Sequence, residues 1–319
     1  MRGIEMRTKW CISCLLFLLM ITAGCTNKSD IEAVPVIEPT VPQETLTPET
    51  PDLKKDTDIV SIIDADWASY FNGLNGAAAI YVPSENACWI YNQELAQTRR
   101  SPCSTFKIVS SLIALENRII SPENSTRQWS GETFWNTDWN QDLDFEQAFR
   151  TSCVWYFREV IDEIGEDLIQ ANLETLQYGN CDISDWAGHL NTNNNNPALT
   201  GFWIESSLKI SPKEQTEVME RIFGNGSIYQ EETIAQLRQV MLVSEEGGQS
   251  IYGKTGMGKD RGVTVDCWFT GFSDGEQRAY FCVYLGELGD LEISSIKARE
   301  IAIQLMQVVP SLHNHNIVE

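Results

Sequence analysis

A serine hydroxyl is a poor nucleophile until a base takes its proton, and a lysine can be that base when its amine is uncharged. Ser-x-x-Lys puts the two groups on one face of a helix and within reach of each other. The chain carries this spacing at Ser104/Lys107, Ser206/Lys209 and Ser294/Lys297, so spacing alone does not single out a site. Only the first pair opens a run with apolar residues at Phe106, Ile108, Val109, Leu112, Ile113 and Leu115. That run predicts a helix over 104–117 buried on most sides. Burial disfavours an ammonium ion and would pull Lys107 below its free pKa of about 10.4. The other two pairs read as solvated or structural.

A second lysine and hydroxyl stand in Lys254-Thr255-Gly256, at the end of a strand-like segment, where the glycine lets a ligand or another backbone come close. Ser152-Cys153-Val154 and Tyr178-Gly179-Asn180 lie between them and are uninformative singly. In this order and context, the four patterns resemble those of the class D (oxacillinase-type) serine β-lactamases, among the penicillin-recognising serine enzymes. The resemblance runs from Ile59 to Val309 and extends to Phe202-Trp203-Ile204-Glu205, Leu208-Lys209-Ile210-Ser211-Pro212 and Trp268-Phe269-Thr270-Gly271-Phe272.

The resemblance implies a role for each matching residue. Ser104 would attack a lactam carbonyl. Lys107 would add carbon dioxide to become N6-carboxylysine, the general base for acylation and deacylation. Chemistry agrees, since only a neutral amine adds carbon dioxide. Val154 puts an apolar group where related classes have an amide, and Trp203 would donate its indole N–H to the carbamate. Ser152 would relay protons between Lys107 and Lys254, while Lys254 and Thr255 face the substrate carboxylate. The backbone N–H groups of Ser104 and Met257 would form the oxyanion hole. Gly256, Tyr178 and Asn180 complete the expected substrate-binding set. The chain departs from the family in three places: Leu291-Glu292-Ile293-Ser294-Ser295 has no arginine for the carboxylate, leaving Arg261 as a candidate; Cys103 stands where alanine is usual; and the loop from Tyr178 to Trp203 is long.

These groups need a frame. Ala77–Val82 and Cys88–Tyr91 predict a hairpin turning at 83–86, and Ser250–Thr255, Val263–Phe272 and Ala279–Leu285 predict three later strands. The region 118–247 reads as mainly helical, with Phe145–Ile164 and Ser211–Phe223 as examples, and Ser294–Val308 as the last helix. The Asn-rich 191–197 stretch reads as an exposed inserted loop. Strands, helices, strands and a final helix imply an α+β fold, a mainly antiparallel sheet flanked by helices with an inserted helical subdomain.

The acidic balance, 45 Asp and Glu against 23 Lys and Arg for a charge of -22 over 319 residues, opposes a nucleic-acid partner. Arg2, Arg7 and Lys9 before the apolar run Trp10–Ile21 predict a signal peptide over 1–24. Thr22-Ala23-Gly24-Cys25 resembles a lipobox, which implies lipidation at Cys25 and an exported protein held on the outer face of the bacterial membrane. The Pro-, Thr- and Glu-rich stretch 25–58 reads as a disordered tether, with the catalytic domain over 59–319. Cys88, Cys103, Cys153, Cys181, Cys267 and Cys282 are even in number, yet several stand in apolar settings that favour reduced, buried thiols. His189, His313 and His315 are not spaced for zinc or for a Ser-His-Asp triad, so no metal is expected and carbon dioxide is the only small molecule required besides substrate. The main alternative is a penicillin-sensing receptor domain, acylated once without turnover; such receptors follow several membrane helices, and this sequence has one short apolar run. A transpeptidase or carboxypeptidase and a non-catalytic binding lipoprotein are lesser alternatives, and the oligomeric state stays open.

Overall fold

The computed structural model describes residues 60–190 and 195–312. The expected signal peptide, Cys25, the whole tether and residues 191–194 of the Asn-rich loop lie outside the described residues. Strands β1 (Ser61–Asp64), β2 (Gly76–Val82), β3 (Ala87–Tyr91), β4 (Leu242–Glu246), β5 (Gln249–Asp260), β6 (Val263–Asp274) and β7 (Ala279–Gly286) form one sheet. Their order is β1-β3-β2-β7-β6-β5-β4. Every neighbouring pair is antiparallel except β1 and β3, which run parallel. The helices are α1 (Ala68–Phe71), α2 (Gln93–Ala96), α3 (Lys107–Glu116), α4 (Phe145–Arg150), α5 (Val154–Ile164), α6 (Glu166–Leu176), α7 (Pro212–Phe223), α8 (Glu231–Met241) and α9 (Ser295–Leu312). None of the described helices is long and apolar enough to cross a membrane.

The sheet is covered on both faces, and its side-chain alternation shows it. On β7, Phe281, Val283 and Leu285 pack with Ala298, Ile301, Ala302 and Leu305 of α9, an i, i+3, i+4, i+7 stripe. Tyr280, Cys282 and Tyr284 point the other way. On that side α3 is buried from Lys107 to Leu115, within a core shared with α5, α6, α7 and α8. α7 starts where Ser211 caps it through a capping box with Glu214, and Pro212 fits the first turn, where no N–H is needed.

Two expected helices differ in ways that matter to the site. The segment expected as one helix from 104 begins as a 3-10 turn, Cys103–Phe106, and becomes α-helical at Lys107. The segment expected as one helix over 145–164 is broken after α4. There the Cys153 N–H bonds the Ala148 carbonyl at 2.8 Å and the Ser152 N–H bonds the Phe149 carbonyl at 3.2 Å. This pairing is a Schellman motif, whose left-handed residue is most often glycine. Ser152 takes that place with φ of 58°. β4 occupies part of the region expected to be helical, and β1 was not foreseen.

A serine held in a left-handed conformation carries a backbone penalty that glycine does not. Ser152→Gly and Ser152→Ala both remove the hydroxyl, so their difference reads the backbone alone. The glycine variant is expected to be more stable by about 1 kcal/mol in denaturant midpoint; equal midpoints would contradict the assignment.

Candidate active site

Two serine–lysine pairs lie close enough for the charge of one lysine to act on the other, and Ser104 faces a cavity. Lys107 Nζ donates to Ser104 Oγ at 3.0 Å. Lys254 Nζ donates to Ser152 Oγ at 2.9 Å and to the Thr255 carbonyl at 3.1 Å. Lys107 is 1% exposed and lies 5.3 Å from the Phe157 ring centre. Burial lowers its pKa to about 8, only partly opposed by Cys153 and Cys103. Lys254, 5% exposed, is pushed well below the ordinary lysine range by burial first and by the charge of Lys107 second.

The turn bearing Ser104 is clasped from two sides. The Trp203 carbonyl accepts from the Cys103 N–H at 2.9 Å and from Ser101 Oγ at 3.1 Å. On the other side β5 presses close: a Cβ on Gly256 would stand 2.9 Å from the Pro102 carbonyl oxygen, and one on Gly258 would stand 3.1 Å from Cys103 Sγ. Cys103 is held at φ of 50°, one residue before the nucleophile, so the turn is strained where it presents Ser104. Below it, Phe106 meets Trp203 in a stack with centroids 6.1 Å apart, and Phe202 and Tyr178 edge-on at 5.3 and 5.7 Å.

A cavity of about 610 Å³ opens onto Ser104, with Val154, Met257 and Lys259 in its lining. Phe134, Trp135, Trp139, Leu199 and Ile204 add an apolar wall, and Glu132, His189 and Glu205 add polar edges. The indole N–H of Trp203, fully buried, has no acceptor among the described residues. An unpartnered buried donor is costly, and this one belongs to the aromatic shell around Phe106.

The transpeptidase domain of penicillin-binding proteins matches residues 73–307. The chain belongs to that family, among the class D β-lactamases and their sensor relatives. β-lactamase OXA-1 of Escherichia coli is 31% identical over 75% of this chain and 86% of that protein. The probable β-lactamase YbxI of Bacillus subtilis is 29% identical over 74% of this chain and 82% of its own length. The regulatory protein BlaR1 of Bacillus licheniformis is 28% identical over 76% of this chain, but the match spans only 38% of that protein. Among solved structures, the C-terminal domain of the Bacillus licheniformis BlaR penicillin-receptor aligns with TM-score 0.68, covering 78% of this chain and 96% of that one at 27% identity. A class D β-lactamase from Bacillus subtilis aligns with TM-score 0.65, covering 76% and 94% at 27% identity.

Within this family fold, Ser104 pairs with Lys107 and Ser152 with Lys254, the two lysines are close enough for their charges to interact, and Ser104, Val154 and Met257 reach the cavity. Thr255 and Gly256 lie on β5 beside the nucleophile turn and are not part of the cavity lining. Tyr178 and Asn180 are not in the cavity lining. Tyr178 is 1% exposed beneath Phe106. Asn180 ties down the chain before α7, donating to the Ser207 carbonyl and accepting from the Lys209 N–H, both at 2.8 Å. Gly179 allows this approach: at φ of 56°, a Cβ there would stand 2.0 Å from the Lys209 carbonyl oxygen. Arg261 is 83% exposed, paired with Asp260, and is not in the cavity lining, whereas Lys259 is.

The other Ser-x-x-Lys pairs are structural. Ser206 donates to Asp185, and Lys297 Nζ donates to the Glu292 carbonyl. His189 Nδ1 bonds the same Asp185 oxygen at 2.7 Å, so the carboxylate lies between imidazole and serine and no relay forms. The six described cysteines are unpaired, and five of them are buried. The aromatic wall and Lys259 were not legible beforehand; the run Phe134-Trp135 near Trp139 was the only available signal.

In the folded chain Lys107 sheds its proton near pH 8, and in the unfolded chain near 10.4. Between these values the unfolded state binds the extra proton, so stability rises with pH across that window. In buffer free of carbon dioxide, Lys107→Met is expected to be more stable than the wild type by roughly 3 kcal/mol at pH 7, with the gap narrowing towards pH 10.5. A gap that stays constant across the denaturation series would contradict a buried, depressed lysine.

Proposed function

We propose that the protein hydrolyses β-lactams through an acyl-Ser104 ester. The observation that carries this is the 3.0 Å contact between Ser104 and a fully buried Lys107 amine. At neutral pH about a tenth of an amine with pKa near 8 is uncharged. Carbon dioxide adding to that fraction would turn Lys107 into an N-carboxylysine, which supplies a carboxylate base for both half-reactions. The unpartnered Trp203 N–H is the donor we assign to it, and Val154 and Phe157 keep its surroundings apolar.

Ser104 Oγ gives its proton to the N-carboxylysine and bonds to the lactam carbonyl carbon; the carboxylysine later passes that proton on through Ser152 to replace the one Lys254 gives up. The lactam C–N bond then breaks, and its nitrogen takes a proton passed through Ser152 from Lys254. Backbone N–H groups of Ser104 and Met257 meet the developing oxyanion. Water next cleaves the ester and returns Ser104. We assign the substrate carboxylate to Lys259, in the cavity lining, over the candidate Arg261. The sensor reading rests on the BlaR likeness and differs in one step, since the ester would then persist.

Wild-type protein is expected to turn over a chromogenic cephalosporin many times, faster with added bicarbonate. Ser104→Ala and Lys107→Ala should lower kcat/KM by at least about a thousandfold, and Lys259→Ala should act chiefly on KM. One acyl group per chain by intact mass, without further product, would establish the sensor reading instead. We also propose that Cys25 carries a lipid anchor on an exported chain. Partition into a detergent phase should be lost in Cys25→Ala, and unchanged partition would refute the anchor.

A further inference from the structure

Trp203 is fixed on every side, and one of its neighbours has no role in the chemistry above. Arg158, on α5, is 9% exposed and lies with its guanidinium 5.4 Å from the Trp203 ring centre and 5.3 Å from that of Trp186. Both distances fall within cation–π range. The guanidinium is held in that slot by three further contacts. Its Nε donates to Asp162 at 2.9 Å, a second nitrogen also reaches Asp162, and a third donates to the Trp186 carbonyl at 2.9 Å. Trp186 closes the bracket, since its own indole N–H donates to Asp162 at 3.1 Å and its ring stacks on Phe202 at 5.1 Å.

We propose that Arg158 is a positioning residue for the lysine chemistry: it locks the Trp203 indole in the one orientation that leaves its N–H open to an anion on Lys107. This inference rests on the proposed function. Packing alone would favour an indole that turns to find an acceptor, because an unmet buried N–H is destabilising. The bracket opposes that turn on one ring face. Phe106 stacks on the ring as well, and Gly201 leaves the room it needs, since a Cβ there would stand 2.0 Å from the ring. The residue is also placed to couple with the site: Val154, Phe157 and Arg158 fall on one face of α5, meeting the cavity, the lysine and the tryptophan respectively. A salt bridge serving only to stabilise α5 would need Asp162 but not two indoles.

The test uses the full chain with 13C-labelled bicarbonate, reading the labelled carbamate by NMR and, separately, the bicarbonate concentration that gives half-maximal turnover. Arg158→Met is expected to raise that concentration about tenfold. Arg158→Lys, which keeps a cation over the ring without the fork, should recover part of the loss. Combining Arg158→Met with Trp203→Phe should add nothing to Trp203→Phe alone. Trp186→Phe opens the bracket from outside while sparing the Arg158 to Asp162 pair, and about a threefold rise is expected from it should Arg158→Met not fold. Lowered melting temperature with unchanged carbamate occupancy and unchanged bicarbonate requirement would overturn the positioning role. Absence of any carbamate signal in the wild type would overturn the carboxylysine reading itself, and this inference with it.

Discussion

An amine stripped of water beside a serine hydroxyl is the constraint on which the rest of the molecule depends. Lysine resists burial because its charged form is strongly hydrated. Here it opens a helix whose remaining side chains are almost all buried, so the protonated form has no solvent to retreat to. The proton becomes easier to lose, and Ser104 gains a base within hydrogen-bond reach. The stability given up at this point is recovered in the large apolar cores on the two sheet faces.

Strain is distributed around that amine. Cys103, beside Ser104, and Ser152 itself both occupy left-handed backbone. Neither is glycine, and each is held by hydrogen bonds and packing that leave the turn no alternative. Ser152 illustrates the trade: the helix stop would prefer glycine, and the hydroxyl that receives Lys254 requires serine. β5 contributes in the opposite way, with glycines at 256 and 258 that let the strand lie against the nucleophile turn. The same frame accommodates relatives described as a probable β-lactamase and as a penicillin-receptor, so the fold alone does not separate the two.

Legibility in the sequence followed physical locality. The apolar run after Ser104, the hairpin at Pro83 and the helix from Ser211 to Phe223 are signals contained within a few residues, and the structure carries each of them. The stop at Ser152 was hidden, because serine gives no sign of left-handed backbone and the helical periodicity runs on across it. The parallel placement of β1 depends on a distant partner, which short-range patterns do not encode. Tyr178 and Asn180 were expected at the substrate from resemblance alone; what their surroundings show is burial for Tyr178 and a hydrogen bond to the Ser207 carbonyl for Asn180. Arg158 escaped notice for the same reason: an arginine four residues before an aspartate looks like a surface helix pair until two indoles close over it.

The most direct measurement is an NMR titration of the Lys107 side chain in protein carrying 13C-labelled lysine, assigned by Lys107→Met and kept free of carbon dioxide. The account predicts an inflection near pH 8. An inflection near the free value of about 10.4 would mean that the amine is an ordinary hydrated ammonium, and the proposed base for Ser104 would be lost.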